Sequence, residues 1–181
     1  MNKQLNVTFD LETLGNSSQA PIVQVAAVLF DNHGQILESV NLKADLKTIP
    51  QGFVVNFETL KWWFEQSNQA IKSVMTQGKL THTEMLKEFM KWVLEIKDNY
   101  GKDISYWSHA TFDPPILSNN FKVAGVYNPI PFRAHRDIRT LTHFAGFIDV
   151  KRSGVAHDAI DDCIYQAKYI TKGFKLIKPI L

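Results

Sequence analysis

The sequence predicts an α/β fold, a mixed five-stranded sheet flanked by helices, on three observations. The first 43 residues carry three apolar runs of strand length. After Pro50 the apolar spacing changes to that of helices. From residue 104 onward, short strand-like runs alternate with helical ones.

Each element has its own warrant. In residues 4–10, Leu5, Val7 and Phe9 alternate with Asn6, Thr8 and Asp10, which is a strand pattern. Residues 21–31 form a long apolar strand, and Asp31-Asn32-His33-Gly34 is a turn signal. Residues 35–43 return as a third strand, so the first three make an antiparallel meander. Residues 57–77 read as two short helices broken near Ser67-Asn68. Thr81-His82-Thr83-Glu84 is a capping box. Behind it, Leu86, Phe89, Met90, Val93 and Leu94 recur at helical spacing on one face. A fourth strand is expected at 104–108, and Pro114 and Pro115 suit the first turn of a helix reaching about residue 125. A short fifth strand is expected at 131–135, with helices at 137–146 and 158–172. Without repeats, low-complexity stretches or linkers, residues 1–181 read as one domain.

Composition narrows the class. With 45% hydrophobic and 21% charged residues, the chain is ordinary and globular. No apolar run is long enough to cross a membrane, so no membrane partner is expected. The start, Met1-Asn2-Lys3-Gln4-Leu5, lacks the apolar stretch of a signal peptide. The single Cys163 excludes an intramolecular disulfide framework, and a reducing, cytoplasmic location is expected. A net charge of +2 does not announce nucleic-acid binding, but a nuclease can work with local positive charge and metal.

Three acidic segments carry the chemistry: Phe9-Asp10-Leu11-Glu12-Thr13-Leu14-Gly15, Trp107 to Asp113, and Val155 to Asp162. Each sets carboxylates beside apolar residues. Buried ionised carboxylates are costly unless something positive neutralises them. No Lys or Arg lies within these segments, so divalent metal is the expected counter-charge. Asp10 and Glu12 stand two apart on a strand and point to the same face. Alone, the pair also fits a solvated strand end, or the Asp-x-Asp-x-Thr nucleophile of a haloacid-dehalogenase-type phosphatase. Glu12 and the missing downstream Lys loop depart from that phosphatase pattern.

Asp113 also suits an N-cap, a role that still projects its carboxylate over the sheet edge. His157 and Asp162, five apart, would lie on different faces of one helix. The pair converges if His157 precedes the helix and Asp162 sits in its second turn, with Asp158 as N-cap and Asp161 three residues later. His33 and His82 read as solvated, and His109, His135 and His143 show no ligand spacing, so zinc is not expected. Arg133, Arg136 and Arg139 form a basic cluster that suits either a phosphate backbone or a solvated face paired with Asp137. Trp62 and Trp63 point in different directions on a helix, one to the core and one to a groove.

Taken together, the motifs resemble the DEDDh 3′–5′ exonucleases of the ribonuclease-H-like superfamily. Asp10 and Glu12 match the first motif, Asp113 the second, and His157 with Asp162 the third. The His-x-x-x-x-Asp spacing distinguishes the DEDDh branch from the branch that uses Tyr. Leu60-Lys61-Trp62-Trp63, Phe112 to Leu117, Arg136 to Thr140 and Val155 to Asp158 look like the phage exonuclease A group, which has relatives among small bacterial exoribonucleases. Pro114, directly after Asp113, is a departure that removes no catalytic group.

The resemblance implies a ribonuclease-H-like sheet and a substrate with a free 3′ end, DNA or RNA, cut to nucleoside 5′-monophosphates. It implies two Mg²⁺ or Mn²⁺ ions held by Asp10, Glu12, Asp113 and Asp162, with His157 as general base. Thr13, Leu14, Trp63, Phe112 and Arg139 are the expected substrate contacts, and the superfamily's habit of dimerising makes a homodimer admissible. The rival readings are the phosphatase and a non-catalytic nucleic-acid binding module. The presence of all five motif residues argues against the second.

Overall fold

A computed structural model describes residues 4–177. Strand β1 spans Leu5–Thr13, β2 Ile22–Asp31 and β3 Ile36–Lys43. Helices α1 (Phe57–Phe64), α2 (Asn68–Thr76) and α3 (His82–Tyr100) follow. Then come β4 (Ile104–Ser108), α4 (Asp113–Val123), β5 (His135–Asp137), α5 (Ile138–Ala145) and α6 (Ala159–Ile177). The sheet order is β3-β2-β1-β4-β5. β1–β2 and β2–β3 pair antiparallel, whereas β1–β4 and β4–β5 pair parallel, so the expected mixed sheet is present.

Strand β1 is buried along its whole length, polar residues included, because helices cover both faces of the sheet. On one face Leu5, Val7, Phe9 and Leu11 join Val25, Ala27 and Leu29 of β2 against α3 and α4. On the other, Ala26, Val28 and Phe30 pack under α5 and α6. Fully burying one such side chain contributes roughly 1.5–3 kcal/mol, so these two layers hold the sheet in place. The polar β1 residues fall on the α6 side and are satisfied there. Thr8 Oγ1 donates to Gln166 Oε1 at 2.6 Å, and Trp107 Nε1 donates to Asn6 Oδ1 at 2.9 Å.

Several boundaries depart from the sequence expectation. β1 continues to Thr13, with a register irregularity against β2 between Glu12 and Thr13. The fifth strand is His135–Asp137, not 131–135: after Pro131, residues Phe132–Ala134 make a 3₁₀ turn, and the chain extends only beyond it. The break between α1 and α2 falls where Ser67 accepts from Ala70 N as N-cap. The Thr81–Glu84 capping box forms as expected, but His82 is fully buried, not solvated. Its Nε2 lies 2.9 Å from Asn120 Oδ1, in a network that also receives Ile22 N at 3.1 Å.

Candidate functional site

The acidic residues meet at one end of the sheet, under the start of α6. Asp10 and Glu12 share the α6 side of β1, as their two-residue spacing requires. Asp162 lies in the first turn of α6, one turn earlier than expected, because the helix begins at Ala159. Carboxylate oxygens of Asp10, Glu12 and Asp162 come within 4.8 Å of one another. Asp113 stands outside that tight trio but lines the same cleft. Its place in the helix also differs: Phe112 occupies the N-cap position and Asp113 is the first helical residue. The Asp113 carboxylate turns back to accept His109 N at 2.8 Å, which fixes it over the sheet end.

Burial and mutual repulsion shape the electrostatics. Burial pushes Asp10 up to about 7, opposed by the hydrogen bond from Gln166 and by nearby Arg152. Glu12 is pushed well up by burial and by the charges of Asp10, Asp158 and Asp113. Asp113 is raised by burial and by Asp10. Such a group is poised to take up a cation or protons.

His157 sits at the lip of the cleft in a tight turn before α6, with φ of 62°. A non-glycine residue in that region costs roughly 1–2 kcal/mol. The neighbouring contacts hold it there. Asp158 is buried and accepts from Gln24 Nε2 at 3.0 Å, from Lys43 Nζ at 3.4 Å and from Ser73 Oγ. The turn is thereby tied to β2, β3 and α2. The Trp62 ring meets the His157 imidazole edge-on, centroids 4.7 Å apart. Burial, then Arg152, lowers the His157 pKa below its ordinary value.

Four expectations need correction. Trp63 is 3% exposed and its Nε1 donates to Thr13 O at 3.0 Å, so it is a wall beneath the cleft and offers no open stacking face. Trp62, 37% exposed, presents its ring to the cleft instead. Leu14 turns inward to pack with Val23, Trp63, Ala70 and Val74, because the chain curls after the β1 irregularity. The basic cluster divides: Arg139 lines the cleft, while Arg136 Nη1 donates to the carbonyls of Arg133 and His135. Asp137, an arginine partner in one of the two readings of that cluster, caps α5 by accepting Thr140 N at 2.9 Å and also accepts Ala110 N at 3.1 Å. Finally, the cleft holds a cation of its own. Arg152 pairs with Asp162, from a position just upstream of the third segment.

Thr13 and Phe112 line the cleft, whose volume is about 770 Å³. The sequence reading missed Gln166, whose Nε2 donates to Asp10 Oδ1 at 3.0 Å. Its signal was available, since it stands four after Asp162 on the same helical face. Arg152 gave no comparable local signal, and the adjacent Trp62 and Trp63 did not show which ring faces the cleft.

An all-oxygen donor set, with Asp10 and Glu12 buried and raised in pKa and Asp162 partly buried, fits a hard divalent cation such as Mg²⁺ or Mn²⁺.

Comparison with known proteins agrees. A family model described as the 3′–5′ exoribonuclease Rv2179c-like domain matches residues 5–174. An exodeoxyribonuclease of enterobacteria phage T4 is 24% identical over 189 residues, covering 85% of this chain and 82% of that protein. Among solved structures, cell-death related nuclease 4 matches with a TM-score of 0.65 at 16% identity, over 97% of this chain and 65% of that one. E. coli exonuclease I in complex with a 5cy-dA13 oligonucleotide matches with a TM-score of 0.59 at 11% identity, over 98% of this chain and 41% of that one. The chain thus spans about two thirds and two fifths of the lengths of these structures. At such identities they show the shared ribonuclease-H-like fold.

Proposed function

Because the chain belongs to the Rv2179c-like 3′–5′ exoribonuclease domain family, we propose that its cleft is the active site of a metal-dependent 3′–5′ exonuclease. In this reading Asp10, Glu12, Asp113 and Asp162 bind two Mg²⁺ or Mn²⁺ ions, and His157 is the general base. The observation that carries it is the convergence of Asp10, Glu12 and Asp162 from distant segments, with His157 at the lip above them.

Two bound divalent ions supply the positive charge that favours an attacking water and a departing 3′ oxygen. The chain's own residues do the rest. Gln166 holds Asp10, and His109 N holds Asp113, in fixed orientations. Burial, then Arg152, lowers the His157 pKa, which favours the neutral imidazole that can accept the proton of the attacking water. Thr13, Phe112 and Arg139 line the space for the terminal nucleotide, and Trp62 replaces Trp63 as the surface for base stacking. Each cycle releases a nucleoside 5′-monophosphate.

The family description names RNA and the phage relative DNA, so matched RNA and DNA oligonucleotides enter one test. With Mg²⁺, a 5′-labelled strand should give a descending ladder, EDTA should abolish it, and a blocked 3′ end should resist. Full activity in excess EDTA, or a single internal cut in a circular strand, refutes this assignment. Hydrolysis of a chromogenic phosphate monoester with the oligonucleotides left intact restores the phosphatase reading.

A further inference from the structure

Arg152 is a cation built into a site that the metal reading reserves for divalent ions. It extends from the segment between α5 and α6, where Gly154 adopts φ of 86° and the backbone closes on Asp161. Val155 N donates to Asp161 Oδ2 at 2.7 Å, and the Asp158 network holds the next turn. Just upstream of these anchors Arg152 reaches back over α6. Its Nη2 pairs with Asp162 Oδ1, and its guanidinium centre lies 5.0 Å from the Tyr165 ring centroid. The side chain is 40% exposed and lines the cleft that Arg139 also lines.

We propose that Arg152 is a displaceable counter-cation: it neutralises Asp162 in the metal-free protein, and on metal loading it turns over Tyr165 to bind a phosphate of the nucleic acid. The charge balance leads there. Four carboxylates carry a charge of −4, and two divalent ions carry +4. A guanidinium left against Asp162 would then face the metals as a like charge. The balanced site gains one negative charge when a phosphodiester enters, and the exposed Arg152 supplies the matching positive charge. Tyr165 already lies beside the guanidinium while it pairs with Asp162, so the side chain keeps one partner on leaving the carboxylate, since an aromatic face attracts a guanidinium within about 6 Å. Arg152 also suits the task chemically, because its planar fork matches both carboxylate and phosphate oxygens.

This inference rests on the metal-dependent reading above, and one set of measurements separates the two. Mn²⁺ binding is measured by calorimetry on the wild type and on Arg152→Gln at one pH. Removing the competitor should tighten Mn²⁺ on the order of threefold to fivefold, the worth of a partly exposed ion pair. Binding of a fluorescein-labelled single-stranded oligonucleotide is then measured by anisotropy in Ca²⁺ over a salt series. Arg152→Gln should bind more weakly, with a salt slope shallower by about 0.7, the loss of one phosphate contact on a single strand. Arg152→Lys, which keeps the charge, should retain the wild-type slope. Unchanged Mn²⁺ affinity in Arg152→Gln overturns the competition, and an unchanged salt slope overturns the phosphate contact; either result refutes the proposal. A wild type that binds no Mn²⁺ refutes the metal reading itself, and this inference with it.

Discussion

His157 adopts a backbone conformation that L residues avoid, and its place in the fold explains why it stays there. Trp62 meets its ring, Asp158 anchors the next residue to β2, β3 and α2, and Ala159 opens α6 two residues later. The imidazole is therefore positioned by three elements and stands apart from the clustered carboxylates. Its pKa is lowered by burial and by Arg152, so its neutral form extends to more acidic pH than that of an ordinary imidazole. Protonation on further acidification should switch the base off, giving an acidic limb in the pH–rate profile. Replacing His157 by Ala should reduce single-turnover cleavage about a hundredfold to ten-thousandfold while Mn²⁺ affinity stays near wild type. The acidic limb should flatten in the same variant. A variant that loses Mn²⁺ binding but keeps the limb would make His157 a ligand or a structural residue.

At the scale of elements, α1 shows how adjacent residues take opposite duties. Trp63 closes the small core with Leu14, Val23, Ala70 and Val74, and bonds to Thr13 O at the end of β1. Trp62, one residue earlier, lies on the cleft side beside Glu58 and Thr59, one turn before it. The two indoles touch at 5.0 Å between centroids, so the buried ring supports the exposed one. Trp63→Ala should destabilise the fold by about 3–5 kcal/mol in denaturant melts, the usual cost of emptying an aromatic core site. Trp62→Ala should leave those melts within about 1 kcal/mol of wild type. Its effect should appear instead as roughly 1–3 kcal/mol weaker oligonucleotide binding, the range for one lost stacking contact. Equal stability losses in both variants would contradict this division.

For the molecule as a whole, the site works against stability. An acid whose pKa is raised by folding binds protons more readily folded than unfolded. Its stabilising contribution is complete below the unfolded value, 3.8 for Asp10, and is lost as pH rises towards the folded value of about 7. Glu12 and Asp113, raised in the same direction, add to this trend. Without metal, the carboxylate cluster should therefore lower the melting temperature between pH 4 and pH 7, as seen in a difference from the Asp10→Asn variant. Mg²⁺ should raise the wild-type melting temperature more at pH 7.5 than at pH 5, because protons and metal compete for the same oxygens. Asp10→Asn should be more stable than wild type in EDTA at pH 7.5 by about 1–3 kcal/mol. The same variant should lose most Mg²⁺-dependent stabilisation and turnover. A wild type stabilised equally by Mg²⁺ at both pH values would refute the coupling.

Strand alternation, the Thr81–Glu84 capping box and the three acidic segments were legible from the sequence, because each is a local pattern. Period-two alternation put Asp10 and Glu12 on one face, whereas Gln166, four after Asp162, was overlooked although helical spacing could have found it. The short fifth strand was misplaced because its position depends on pairing with β4, not on its own residues. Trp63, Leu14 and His82 were misread for a related reason: which side of an element is covered depends on neighbours remote in sequence. The sequence by itself thus determined the fold class and the acid-rich chemistry. Only the tertiary structure decided that Arg152 meets Asp162, that Asp158 ties the His157 turn to three elements, and that Trp62 faces the cleft. Those contacts join segments up to 134 residues apart, as between Gln24 and Asp158, and close packing of the whole chain chooses them.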